Sequence, residues 1–240
     1  MTAPASDWPE AEGVILLHGL GRTRACMVRM ERALTETGYW VENIDYPSRT
    51  APIAQLADEA IGRVLTSPRM QACTRVHFVT HSLGGILVRS YCSRHRIERL
   101  GRVVMLGPPN RGSEVVDHLR KWRFFLKLYG PAGSELGTGA DSTPNKLGPV
   151  DFELGVIAGN RSINWINSLM IAGPDDGKVS LERTKVVGMK AWLVVPVTHP
   201  FLMSNRRVIA STRRFLATGE FSGQWADTPT SRTVDVRSES

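Results

Sequence analysis

The chain has 240 residues, 42% of them hydrophobic, which suits one α/β domain with a sizeable core and excludes general disorder. Its net charge of +7 and pI near 9.7 favour anionic surroundings, but the arginines and lysines are scattered and no nucleic-acid-binding motif accompanies them. Cys26, Cys73 and Cys92 lack metal-ligand spacing, residues 1–10 lack the basic and apolar regions of a signal peptide, and no apolar run approaches the roughly 20 residues that span a bilayer. The expectation is a cytoplasmic protein with no metal, no cofactor and no nucleic-acid partner.

The first apolar run, Val14-Ile15-Leu16-Leu17, has almost no polar alternation, as in a strand covered on both faces of a parallel sheet. His18-Gly19-Leu20-Gly21 follows, then a helical segment with Met27, Met30 and Leu34 that stops at Gly38. Trp40 to Asp45 reads as a second strand, closed by Tyr46-Pro47-Ser48. Pro52 suits a helix's first turn, and Ile53, Leu56, Ala57, Ala60, Ile61 and Val64 then trace one helical face.

Arg75 to His81 is the third strand. It turns sharply at Ser82-Leu83-Gly84-Gly85 and continues as a helix through Ile86, Leu87, Val88 and Tyr91. Strand, tight turn and helix with a serine at the apex is the context of a nucleophile elbow. Such a turn needs small residues two positions either side of the serine, because strand and helix pass closely there. Gly84 fits the second position; Thr80 stands where glycine is usual. A Ser-Leu-Gly-Gly turn also serves as a plain strand-to-helix connection.

Val103 to Leu106, Phe152 to Ala158 and Trp192 to Val197 complete six strands, the last placed at a sheet edge because Pro196 cannot donate a ladder hydrogen bond. A closing helix carries Val208, Ile209, Phe215 and Leu216 and stops at Gly219. This alternation predicts a mainly parallel sheet of about six strands flanked by helices. The expected organisation is a single domain over 1–240, with flexible tails at 1–11 and 222–240. The rhythm breaks over residues 114–150. There Val115, Leu119, Trp122, Leu126 and Tyr129 would form one face of a helix interspersed with Arg120, Lys121, Arg123 and Lys127, before a stretch rich in Gly, Pro, Ser and Thr. Three roles are open for it: a lid over an acyl-binding groove, a helix packed on the domain body, and weak contact with an anionic membrane surface.

A serine hydroxyl needs a base, itself oriented by an acid. Elbow enzymes run Ser, then Asp or Glu, then His along the chain. Of the histidines after Ser82, His95 lies among Arg94 and Arg96 on a helix and His118 in the insertion. His199 follows the last strand at its carboxyl end, where parallel-sheet sites are built. For the acid, Asp175 and Asp176 share a turn between the fifth and sixth strands and either could reach His199; Asp151 and Asp141 precede the fifth strand. The backbone N–H groups of Leu83 and Leu20 are the natural donors to an oxyanion.

Taken in order, His18-Gly19-Leu20-Gly21, Thr80-His81-Ser82-Leu83-Gly84-Gly85, Pro109-Asn110-Arg111-Gly112-Ser113, Asp176-Gly177-Lys178-Val179 and Thr198-His199 resemble the α/β-hydrolase superfamily, on its lipase and esterase side. The resemblance spans about Val14 to Leu216. It implies Ser82 as nucleophile, His199 as base and Asp176 rather than Asp175 as acid, in a compact version without the family's first two antiparallel strands. The expected activity is hydrolysis of a small-molecule or lipid-like carboxylic ester through an acyl-enzyme. An acyltransferase, thioesterase or amidase would use the same groups, and a binding or scaffold protein could keep the fold without turnover. A dinucleotide-binding reading, with Gly19-x-Gly21 after a strand and Asp45 ending the next, fails at Arg24, where the third glycine belongs.

Overall fold

The apolar runs become strands because each contributes side chains alternately to two buried faces. A computed structural model describes residues 11–120, 124–162 and 173–221. The strands are β1 (Glu12–Leu17), β2 (Trp40–Ile44), β3 (Arg75–His81), β4 (Leu100–Leu106), β5 (Leu154–Gly159) and β6 (Ala191–Val195). They form one sheet in the order β2-β1-β3-β4-β5-β6, every neighbouring pair parallel. Ile15, Leu17, Phe78 and Met105 face one core layer, while Val14, Leu16, Val79 and Val104 face the other. The sheet is thus flanked by helices on both sides, as expected.

On the first face lie the helix Leu83–Cys92 and a helical run made of Ile53–Ala57, a π-turn Asp58–Gly62 and Arg63–Leu65. All six apolar positions expected on one face of that run are buried. Pro52 stands just outside the run as its N-cap, and the Ile53 N–H donates to Glu135 Oε1 at 3.0 Å. On the second face lie the helices Val28–Thr35 and Arg206–Thr218. The latter begins where Asn205 Oδ1 accepts from Arg207 N and Val208 N and ends at Gly219 in the left-handed region, φ 76°. β6 is an edge strand, but its ladder stops at Val195, so Pro196 lies just past the strand rather than within it.

The expected helix from Val115 to Tyr129 is replaced by two pieces, Glu114–Leu119 and Phe125–Ser134, the second kinked at Gly130 (φ 67°). Separate tertiary contacts hold the first piece. Glu114 pairs with Arg183 Nε at 2.5 Å, and the Asp117 carboxylate accepts from the Thr138 N–H and hydroxyl. Trp122, residues 1–10 of the tail expected at 1–11, and the tail expected at 222–240 lie outside the described residues. The segment is fastened to the sheet by Arg89 of the elbow helix, whose buried guanidinium donates to the carbonyls of Asn110 (2.8 Å), Pro144 (3.1 Å) and Gly148 (2.7 Å). Burial brings its pKa down to about 10, so the group stays charged at neutral pH. No described helix is long and apolar enough to cross a membrane.

The elbow helix crosses the end of β1 closely. A β-carbon on Gly84 would sit 2.7 Å from the Leu17 carbonyl oxygen and 3.1 Å from that of His18. Backbone cannot yield as a flexible side chain would, so overpacking of about 1–3 kcal/mol outweighs the up to about 1 kcal/mol that alanine gains in a helix. Gly84→Ala is expected to lower the free energy of unfolding by about 1–3 kcal/mol in a denaturant titration; an unchanged or raised midpoint would contradict the close approach.

Candidate active site

Ser82 directly follows β3 and precedes the helix Leu83–Cys92. Its backbone has φ 51° and ψ −117°, and among the described residues no other non-glycine has positive φ. Such a conformation costs on the order of 1–3 kcal/mol and persists only where its surroundings impose it. Here Ser82 N donates to Leu106 O at 2.9 Å and its carbonyl accepts from Gly85 N at 3.0 Å. The side chain does not cap the helix. Thr80, in the usual glycine position, is fully buried in the ladder opposite Leu17 and Met105, and the strained turn forms with it in place. The crowding falls instead on Gly19 of the neighbouring loop, where a β-carbon would meet His81 Nδ1 at 2.8 Å and Ser82 Cβ at 3.2 Å.

His199 opens a short 3-10 turn after β6. Its Nδ1 lies 2.6 Å from Asp176 Oδ2, and its N–H donates to the Asp176 carbonyl at 2.9 Å. The other carboxylate oxygen, Oδ1, accepts from Lys178 N and Val179 N, both at 3.0 Å. An ionised carboxylate only accepts, so Nδ1 carries the proton and Nε2 is left with its lone pair. Asp175 does different work: its Oδ1 accepts from Gly177 N at 2.6 Å and shapes the turn. Asp141 and Asp151 are exposed, His95 is exposed and pairs with Asp58, and His118 is exposed and bonds the Glu114 carbonyl.

Ser82 and His199 line one cleft at the carboxyl end of the sheet, together with Leu20. No side-chain hydrogen bond joins Ser82 to His199 among the described residues; such contacts often tighten only when substrate is bound. Leu83 is the first residue of its helix, so its N–H has no intrahelical acceptor. The remaining cleft wall is mainly apolar, with Val115, Val116, Leu119 and Tyr129 from the 114–150 segment beside Val179. Among the described residues no group of three or more His, Cys, Asp or Glu could hold a metal.

Sequence reasoning overlooked the residues that brace these groups. Tyr46 stacks on buried His18 (centroids 4.1 Å apart, planes 10° apart) and donates its hydroxyl to the His18 carbonyl at 2.5 Å. Tyr46 N–H donates to His18 Nε2, leaving Nδ1–H for the Gly19 carbonyl at 2.9 Å, while Ser48 Oγ accepts from Gly21 N. The turn after β2 therefore fixes the loop after β1. Asp45 belongs to the same web, 3.1 Å from both His18 Nε2 and Arg24 N, a use unrelated to ribose binding. His81 is a second omission. Its Nε2–H donates to the His199 carbonyl at 3.1 Å, its ring lies 4.7 Å from that of His199, and its buried Nδ1 has no partner. Burial, with the His199 imidazole adding to it, holds the His81 pKa well below the usual range. The two sequence features at these places are a histidine directly before the elbow serine and a Tyr-Pro-Ser turn after the second strand.

A family profile described as "alpha/beta hydrolase family" matches residues 14–153. No curated protein sequence matches the chain. Among solved structures, the chain is similar to the lipase BlEst2 of Bacillus licheniformis in mature form, at TM-score 0.68 and 18% identity over 91% of this chain and 96% of that one. An esterase from Thermogutta terrifontis gives 0.58 and 14% over 87% and 90%. Phospholipase PlaB from Legionella pneumophila gives 0.59 and 18% over 73% of this chain but only 46% of the other. At these identities the likeness concerns the fold.

Burial lowers the pKa of His18, His77 and His81 below 6.5. Above about pH 6.5 these imidazoles are neutral in folded and unfolded chains alike, and no penalty arises. As pH falls below that value the unfolded chain takes up protons that the folded one refuses, so stability is lost, by up to about 1.4 kcal/mol per pH unit for each group. Guanidinium unfolding is expected to show lower stability at pH 5.5 than at pH 7.5; equal or greater stability at pH 5.5 would overturn this reading of the buried histidines.

Proposed function

We propose, from the premise that the chain belongs to the alpha/beta hydrolase family, that it is a serine hydrolase cleaving carboxylic esters, acyl or lipid-like, through an acyl-enzyme. The observation that carries the reading is the buried Asp176–His199 pair opening on the same cleft as a serine held at positive φ. Ser82 is the nucleophile, His199 the base and Asp176 the acid. His199 Nε2 takes the hydroxyl proton as Ser82 Oγ attacks the ester carbonyl. The N–H groups of Leu83 and Leu20 receive the negative charge that moves onto the carbonyl oxygen. Collapse of the tetrahedral intermediate breaks the bond to the alkoxy group, which leaves with the proton from His199. Water, deprotonated by the same imidazole, then releases the acid and restores Ser82.

Asp176 holds the imidazole in the tautomer this requires and stabilises its protonated form. The segment over residues 114–150 serves as the cover of the acyl groove, since Val115, Val116, Leu119 and Tyr129 contribute its apolar wall. The lipase and esterase names of the similar structures agree with this reading. A protein that kept the fold without turnover would draw support from a distorted elbow, whereas Ser82 has φ 51° with Thr80 in place.

A fluorophosphonate probe is expected to label the wild-type protein stoichiometrically, to leave Ser82→Ala unlabelled and to react much more slowly with His199→Ala. Equal labelling of all three would sink the proposal. Asp176→Asn should lower kcat on a p-nitrophenyl ester by on the order of 10³-fold or more, because the amide favours the wrong imidazole tautomer. Asp175→Asn keeps an amide oxygen that can still accept from Gly177 N and should change kcat by about tenfold or less. The reverse ranking would move the acid by one residue.

A further inference from the structure

The cleft that holds Ser82 and His199 carries two cations and, among its described lining residues, no carboxylate. Lys178 comes from the turn that supplies Asp176, and Arg22 from the loop after β1 that supplies Leu20. Backbone bonds pin Lys178 on both sides. Its N–H donates to Asp176 Oδ1 at 3.0 Å, and its carbonyl accepts from Ser113 Oγ at 2.8 Å. The side chain is half-buried against the apolar wall, while Arg22 is exposed at the rim.

Neither cation has an ion pair among the described residues. Asp176 attracts the Lys178 ammonium, but its two oxygens are already committed to His199 and to two backbone N–H groups. Burial lowers the pKa of Lys178, and repulsion from Arg22 adds to the effect. A half-buried ammonium with no ion pair among the described residues, in a cleft that also holds a second cation, is a poor arrangement for the free protein and a good one for a bound anion.

We infer that the substrates of this cleft are esters bearing an anionic group, a carboxylate or a phosphate, which Lys178 receives with Arg22 at the rim while the apolar wall takes the acyl chain. This rests on the reading of Ser82 as the nucleophile. Lys178 is here a specificity residue. A cation that served only the reaction's own oxyanion would speed neutral and anionic esters alike, which separates the two roles.

Two matched pairs test it: p-nitrophenyl pentanoate against mono-p-nitrophenyl glutarate, and dibutyrylglycerol against its phosphate monoester. In wild type the anionic member of at least one pair should have a kcat/KM about tenfold or more above its neutral partner, and the pair concerned identifies carboxylate or phosphate. That ratio should fall towards one in Lys178→Met and Lys178→Gln, fall partly in Arg22→Gln, recover in Lys178→Arg and shrink in 0.5 M NaCl through screening. A wild-type ratio near one for both pairs, a ratio untouched in the Lys178 variants, or an equal slowing of both members would overturn the inference. Calorimetry on Ser82→Ala protein is independent of turnover. Pentyl phosphate or monomethyl glutarate should bind, and at least tenfold more weakly once Lys178→Met is added. If that binding holds while fluorophosphonate labelling fails, only the hydrolase reading falls; if neither anion binds, the anion site is refuted.

Discussion

Where the elbow helix leaves β3, its backbone passes so near the end of β1 that a single methyl group on Gly84 would lie 2.7 Å from the Leu17 carbonyl oxygen. This close approach is the constraint on which the site depends. It sets the helix directly against the strand ends, and the connecting residue, Ser82, must then adopt φ 51°. The strain is imposed by a rigid parallel sheet on one side and a buried helix on the other. Unforced, a serine would relax to negative φ and its hydroxyl would move with it. The same crowding excludes a side chain from Gly19 and so brings the loop after β1 alongside Ser82.

Around that turn the proposed acid and base are held by hydrogen bonds, while Thr80 Oγ1, His81 Nδ1 and Thr198 Oγ1 have no partner among the described residues. Asp176 uses one carboxylate oxygen on two backbone N–H groups and the other on His199. His81 holds the His199 carbonyl, and His18 with Tyr46 clamps the loop that carries Leu20. A buried neutral imidazole suits these bracing roles because a ring N–H can donate to a main-chain carbonyl, as in both His18 and His81. Burial lowers the pKa of both His18 and His81 and so favours their neutral forms.

The segment over residues 114–150 meets the body through both apolar and polar contacts: Val115, Ala132, Leu136 and Val150 join the core layer of the first face. Arg89 reaches it from within the core, and Glu114 and Asp117 tie down its first helix. A buried guanidinium that met no acceptor would be very costly; three main-chain carbonyls supply what a carboxylate otherwise would. Val115 and Leu136 serve both the core and the cleft wall.

The sequence alone determined the sheet, its parallel sense, and the placing of Ser82 after the third strand and His199 after the last. These rest on local signals: unbroken apolar strands, helical spacing, and glycine where backbones meet. It also placed β6 at an edge, although the ladder ends before Pro196. Other features needed the tertiary structure. Asp175 and Asp176 are indistinguishable as neighbours in a turn, and only the fold shows which carboxylate faces the imidazole. The stripe from Val115 to Tyr129 reads as one helix until Glu114 and Asp117 find partners far along the chain. Tyr46, His81 and Arg89 carry no pattern of their own, because their roles are contacts across 28, 118 and up to 59 residues that no local spacing encodes.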